Sequence, residues 1–175
     1  MRCAGLDQDL LDQDLNVARA LIIGYGNPLR SDDGFGSYAA HELSTRFHGS
    51  DVEIISRQQL TPELAEHASH FQFVIFIDAA RDCPPGKLRC EEIKHSENSG
   101  QAEFTGFSHF LTPAALLAWT AGLYNRFPQA YYVRIGGQCF DEGETISPTV
   151  LAALPPLIEK IGRLTRTTPE TLGLF

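Results

Sequence analysis

Short apolar runs alternate along the chain with longer stretches in which apolar residues recur at helical spacing. Ala20-Leu21-Ile22-Ile23-Gly24-Tyr25, closed by Gly26, suits a strand buried on both faces. After a loop from Asn27 to Ser31, Phe35, Tyr38, Ala39 and Leu43 recur as on one helix, with Asp32 and Asp33 in its first turn. Val52-Glu53-Ile54-Ile55 reads as a second strand, and Thr61-Pro62-Glu63-Leu64 as the start of a helix running to about His70. Phe73-Val74-Ile75-Phe76-Ile77 is the most continuous apolar run, and its abrupt end at Asp78 predicts a central strand carrying a carboxylate at its tip.

Beyond the turn residues Pro84, Pro85 and Gly86, Lys87 to Lys94 alternates polar and apolar, the pattern of an edge strand with one wet face. A long loop from His95 to Leu111 leads to Thr112-Pro113, a cap and proline that open a helix with Ala115, Leu116, Trp119 and Leu123 on one face. Tyr131-Tyr132-Val133-Arg134-Ile135 predicts the last strand, and Ser147-Pro148 starts a final helix that Pro155 and Pro156 interrupt or kink. Alternating strands and helices predict a three-layer α/β sandwich: a mostly parallel five-stranded sheet with helices on both faces, and ligands at its carboxyl edge.

The predicted domain spans residues 18–164, between an N-terminal extension (1–17) and a loose tail (165–175). The extension is acidic and repeats Leu-Asp-Gln-Asp-Leu at Leu6 to Leu10 and Leu11 to Leu15. With 175 residues, 43% of them hydrophobic, the chain has the size and apolar content of one domain with its own core. Its formal charge of −8 disfavours nucleic acid and anionic lipid, which select for clustered Lys and Arg. No apolar run reaches membrane-spanning length, and no basic-then-apolar leader opens the chain. Cys3, Cys83, Cys90 and Cys139 form no Cys-x-x-Cys pair and are too sparse for a disulfide framework, which points to a reducing cytoplasm.

The chemistry-bearing residues lie at the predicted strand ends. Gly24-Tyr25-Gly26-Asn27-Pro28-Leu29 only partly matches a dinucleotide fingerprint, because Leu29 occupies the place of the third glycine. Asp32 and Asp33 at the helix start would repel a pyrophosphate. One of the two is expected to cap the helix, leaving the other free. That second carboxylate, Asp78 at its strand tip and an imidazole from an adjoining loop could together bind a divalent cation. Phe104, Phe107 and Phe110 read as anchors of their loop on the core, with a client-docking surface as the alternative. His41, His48, His67, His70 and His95 read as surface or packing residues, and a thiol role for Cys83 is disfavoured.

The string from Gly24 to Gly36 (Gly-Tyr-Gly-Asn-Pro-Leu-Arg-Ser-Asp-Asp-Gly-Phe-Gly), together with Phe76-Ile77-Asp78-Ala79, Ser108-His109 before Thr112-Pro113, and Gly143 with Ile146-Ser147-Pro148, resembles the hydrogenase maturation endopeptidases. These enzymes trim the C-terminal extension from the large subunit of nickel–iron hydrogenases. The resemblance spans most of the chain and implies metal ligation by Asp33, Asp78 and His109, with Asp33 and Asp78 also the nearest catalytic candidates. It further implies that nickel arrives within the substrate, that no intrinsic cofactor is bound, that the partner is the large-subunit precursor, and that the strand from Lys87 to Lys94 is antiparallel. A monomer is the default expectation.

Where many members carry a glycine-rich turn after the second strand, this chain reads Arg57-Gln58-Gln59-Leu60-Thr61-Pro62-Glu63-Leu64, like a branch serving soluble or bidirectional hydrogenases. Asp33 replaces the glutamate of some relatives, an arm shorter by one methylene, roughly 1.5 Å. The acidic N-terminal repeat has no counterpart in the resemblance. The alternatives are a non-catalytic metallochaperone for the same precursor and a nucleotide- or S-adenosylmethionine-binding α/β enzyme.

Overall fold

The computed structural model describes residues 20–47, 51–94 and 111–166. One sheet has the strand order β2-β1-β3-β5-β4, built from β1 (Ala20–Tyr25), β2 (Val52–Arg57), β3 (Phe73–Pro85), β4 (Leu88–Ile93) and β5 (Gln129–Gly136). The first four in that order run parallel, and β4 lies antiparallel against β5 at the edge. The helices are α1 (Phe35–Ser44), α2 (Leu64–Ser69), α3 (Pro113–Tyr124), α4 (Pro148–Leu151) and α5 (Leu154–Arg166). The architecture is the sandwich that the hydrophobic pattern predicts.

The sheet has a core on each face. On one side Ile22, Ile75, Ile77 and Ile135 meet Phe35, Ala39 and Leu43 of α1 and Leu157 and Ile161 of α5. On the other, Leu21, Ile23, Val74 and Phe76 meet Leu64, Ala65 and Ala68 of α2 and Leu116 and Leu117 of α3. Alternate residues of β1 and β3 thus serve opposite cores, which explains why both strands read as unbroken apolar runs.

Several expectations change in detail. Helix α1 begins at Phe35, and Asp32 and Asp33 belong to a separate 3-10 turn over Ser31–Gly34 that precedes it. β3 does not stop at Asp78 but continues to Pro85, because β5 keeps pairing with it through Ala79↔Ile135 and Ala80↔Gly136. Gly136 permits this close pairing, since a Cβ there would lie 1.9 Å from the Pro84 carbonyl oxygen. On α3, Leu123 is 70% exposed and the buried positions are Pro113, Leu116, Leu117 and Thr120, so the inward stripe is not the one predicted from Ala115, Leu116, Trp119 and Leu123. Pro62 precedes α2, which begins at Leu64. Pro155 and Pro156 sit in the first turn of α5, where their missing N–H groups break no helical bond, and the chain breaks between α4 and α5 instead. The N-terminal repeat and the tail beyond 166 lie outside the described residues.

Candidate functional site

The chain passes from one side of β1 to the other between β2 and β3. The path through α1 places β2 on one side of β1, and the path through α2 returns the chain to β3 on the other side, with the two helices on opposite faces. Such a switch point opens a crevice beyond the carboxyl ends of the strands. The β1–β3 ladder ends at Gly24↔Ile77, so Asp78 is the first β3 residue past the reach of β1, although it is not the end of its own strand. Asp33 enters the same region from the turn after β1.

Main-chain contacts set the position of Asp33. Gly26 has φ +138°, and a Cβ there would lie 1.8 Å from the Asp33 carbonyl oxygen, so the turn folds back onto the end of β1 only with glycine at this position. The Asn27 N–H donates to Asp33 Oδ2 at 2.9 Å, and Asn27 Oδ1 accepts from the Leu29 N–H at 3.0 Å, closing the loop on itself. Ser31 takes a left-handed φ of 51°, held by its N–H on the Gly143 carbonyl at 2.7 Å and its hydroxyl on the Asp141 carbonyl at 3.1 Å.

The neighbouring acid does something different. Asp32 is fully buried and accepts from the Gln138 N–H at 2.7 Å, the Cys139 N–H at 2.8 Å, the Ser147 N–H at 2.6 Å and the Ser147 hydroxyl at 2.9 Å. Burial pushes its carboxyl up, but the bonds from Ser147, Cys139 and Gln138 outweigh that effect and hold it below the ordinary carboxylate range. Neither acid makes a side-chain cap at the start of the turn or of α1, contrary to the capping expectation. Asp32 ties down the segment between β5 and α4, and Asp33 is left to the crevice.

Asp78 is half-buried, and its Oδ2 accepts from the Tyr132 hydroxyl at 2.8 Å. The Tyr25 hydroxyl donates to the Tyr132 hydroxyl oxygen at 3.2 Å. Burial pushes the Asp78 carboxyl up to about 6, against the lowering effect of the two phenols, and the nearby charge of Asp33 adds to the rise. Burial likewise raises both phenols, and the charge of Asp78 raises them further, so they remain protonated donors. A pair of acids in which one raises the other lowers its own repulsion when a cation binds.

Tyr25 and Tyr132 are the site residues that sequence reasoning missed, since each read only as an apolar strand position. The available signal was their place: Tyr25 is the last residue of β1, and Tyr132 is paired in register with Phe76, two residues before Asp78.

His109 lies outside the described residues, as do Phe104, Phe107, Phe110, His48 and His95. Among the described residues no group of three His, Cys, Asp or Glu side chains gathers in metal-holding geometry. What the described residues do offer is two carboxylates, Asp33 and Asp78, whose oxygens are donors of the type that suits a divalent cation. Cys83 is buried with its thiol 3.8 Å from Asp82 Oδ1, and Cys139 lies 3.9 Å from Asp141 Oδ2. His67 pairs with Glu53 at 2.8 Å and packs edge-on against Phe71, as a packing residue would. Among the described residues no helix is long and apolar enough to cross a membrane.

No family model matches the sequence, and no curated protein matches it. Solved structures do. The hydrogenase maturating endopeptidase HybD from E. coli superposes with a TM-score of 0.67 at 23% identity, covering 85% of this chain and 92% of its own. The fold is that of the hydrogenase maturation endopeptidases. A hydrogenase 2 maturation peptidase from a Thaumarchaeota archaeon aligns with a TM-score of 0.64 at 24% identity over 83% of this chain and 97% of its own. The [NiFe] hydrogenase maturation protease HycI from Thermococcus kodakarensis gives 0.65 at 20% identity over 91% and 100%. Shared architecture of this kind fixes the frame on which a site is built, and the chemistry must be argued from the side chains.

Proposed function

We propose that this chain is an endopeptidase that removes the C-terminal extension of a nickel–iron hydrogenase large-subunit precursor after nickel insertion. The observation that carries the reading is the pair Asp33 and Asp78 at the switch point of a sheet that superposes on hydrogenase maturation proteases. In this reading the metal is part of the substrate: nickel held by precursor cysteines completes its coordination on Asp33, Asp78 and His109. Two carboxylates and one imidazole suit a divalent first-row ion whose remaining positions are already filled. Docking through the ion registers whether the precursor is loaded, and it holds the scissile peptide in one orientation, which lowers the entropic part of the barrier.

The electrostatics favour this over nucleotide or S-adenosylmethionine binding. A phosphate at the start of α1 would face Asp33, and the glycines of the loop serve chain packing: a Cβ on Gly24 would lie 2.1 Å from the Gly36 carbonyl oxygen. Neither described thiol near the sheet edge is set up as a nucleophile, because Cys83 and Cys139 lie against aspartates. The client is proposed to be the cytoplasmic precursor, met as a protein partner and not on a membrane.

The test incubates the chain with nickel-loaded precursor and follows the large-subunit mass. Loss of the C-terminal extension by the wild type, and its retention with Asp33→Asn, Asp78→Asn and His109→Ala, is the expected result. Precursor binding without any cleavage would instead make the chain a metallochaperone. Undiminished cleavage by the Asp78→Asn and His109→Ala variants would overturn the ligand assignment.

A further inference from the structure

We propose that Tyr132, backed by Tyr25, is a positioning residue for the incoming metal: a relay of two phenols fixes the Asp78 carboxylate in the orientation that receives the ion. This inference rests on the proposed role of Asp78 as a ligand. The three side chains come from three adjacent strands, Tyr25 from β1, Asp78 from β3 and Tyr132 from β5, the two phenols standing 107 positions apart in sequence. They converge where the β1–β3 ladder ends.

Both phenols act on one carboxylate. Tyr132 donates to Asp78 Oδ2 at 2.8 Å, and the Tyr25 hydroxyl lies 3.2 Å from the Tyr132 oxygen and also reaches the Asp78 carboxylate. A hydroxyl that accepts one bond becomes a better donor in the next, so Tyr25 strengthens the grip of Tyr132 on the carboxylate. The bond restricts rotation about the Asp78 side chain, adding to the hold of the Ala79 N–H on the same carboxylate.

Neutral donors suit the task. A guanidinium bonded to Asp78 would cancel the charge that a cation needs, and the guanidinium available at this row, that of Arg134, is engaged by Asp82 at 2.7 Å and Glu91 at 2.9 Å. The phenols orient the carboxylate and leave its charge intact. Outer partners of this kind usually contribute 10-fold to 100-fold to metal affinity.

The test uses Tyr132→Phe and Tyr25→Phe, which keep the rings and remove the hydroxyls, with Asp78→Asn beside them. Ni²⁺ alone is titrated into each protein by calorimetry, and nickel-loaded precursor is processed under saturating and subsaturating conditions. Tyr132→Phe is expected to weaken Ni²⁺ binding about 10-fold or more and to raise KM by a similar factor, with a smaller change in kcat and a melting temperature close to wild type. Tyr25→Phe is expected to give a smaller loss in the same direction. Wild-type Ni²⁺ affinity and KM in Tyr132→Phe, with Asp78→Asn inactive, would overturn the relay and leave the proposed function standing. A loss in Tyr132→Phe matched by an equal fall in melting temperature, with kcat and KM affected alike, would overturn it in favour of a purely structural role. Full processing by Asp78→Asn would instead remove the reading on which the inference rests.

Discussion

Asp78 and Arg134 are register partners on adjacent parallel strands, yet the guanidinium turns away to Asp82 and Glu91 while the carboxylate takes a neutral phenol. Neighbouring parallel strands lie about 4.8 Å apart, so an ion pair between the two was within easy reach. The exposed acids Asp82 and Glu91 divert the positive charge, and the crevice keeps an uncompensated anion.

Removing that diversion should harm binding without harming the fold. In Asp82→Asn/Glu91→Gln the Arg134 side chain loses both acidic partners, and Asp78 becomes the acid nearest to it in register. Precursor processing is expected to fall several-fold through a higher KM. The stability cost should stay within about 1 kcal/mol, because both lost ion pairs involve largely exposed acids. Steady-state processing read beside thermal melts separates the two effects, and an unchanged KM would refute the expectation.

Asp78 itself is predicted to cost stability at neutral pH. Its folded-state pKa of about 6 lies above the ordinary carboxylate value, so the folded chain holds the proton more tightly than the unfolded chain does. The favourable contribution is complete below about pH 4 and is lost as pH rises through about 6. Asp78→Asn should therefore be more stable than wild type at pH 7 by about 1–3 kcal/mol, with the difference vanishing below about pH 4. Denaturant unfolding at both pH values checks this, and a variant less stable at pH 7 would contradict it.

Asp32 should behave in the opposite sense. Its carboxyl is held below the ordinary range, so its contribution is present above the unfolded value of about 3.9 and is lost as pH falls through the folded value. An amide cannot accept on both sides, and Asp32→Asn leaves buried N–H groups of the 138–147 segment unpaired. A loss of about 3 kcal/mol at pH 7 is expected, narrowing on acidification. Thermal melts from pH 7 downward would expose a flat difference if the assignment were wrong.

Much of the frame was legible because burial imposes simple periodicities. β1 was read to the residue, the edge strand from Lys87 to Lys94 is observed as Leu88–Ile93 in antiparallel pairing, and the Thr112 cap is present, accepting from the Ala115 N–H at 3.2 Å. Ser147 does precede α4, but its hydroxyl goes to Asp32 and not to the helix. What escaped was information held between distant segments. Periodicity could not show that Asp32 faces the 138–147 segment while Asp33 faces the crevice. It could not extend β3 past a charged residue either, because Pro84 meets the space left by Gly136 only after folding. The phenol relay depends on strands far apart in sequence and had no local signature.

The contact of Gly26 with the Asp33 carbonyl carries a consequence for how the crevice responds to a guest. Because one acid is fastened to the end of β1 through main-chain atoms, and the other grows directly from β3, the gap between them is governed by the stiff centre of the sheet. If the proposed function holds, adaptation to an ion of different radius would then come from the visiting polypeptide, and discrimination among metals would follow from the frame's rigidity.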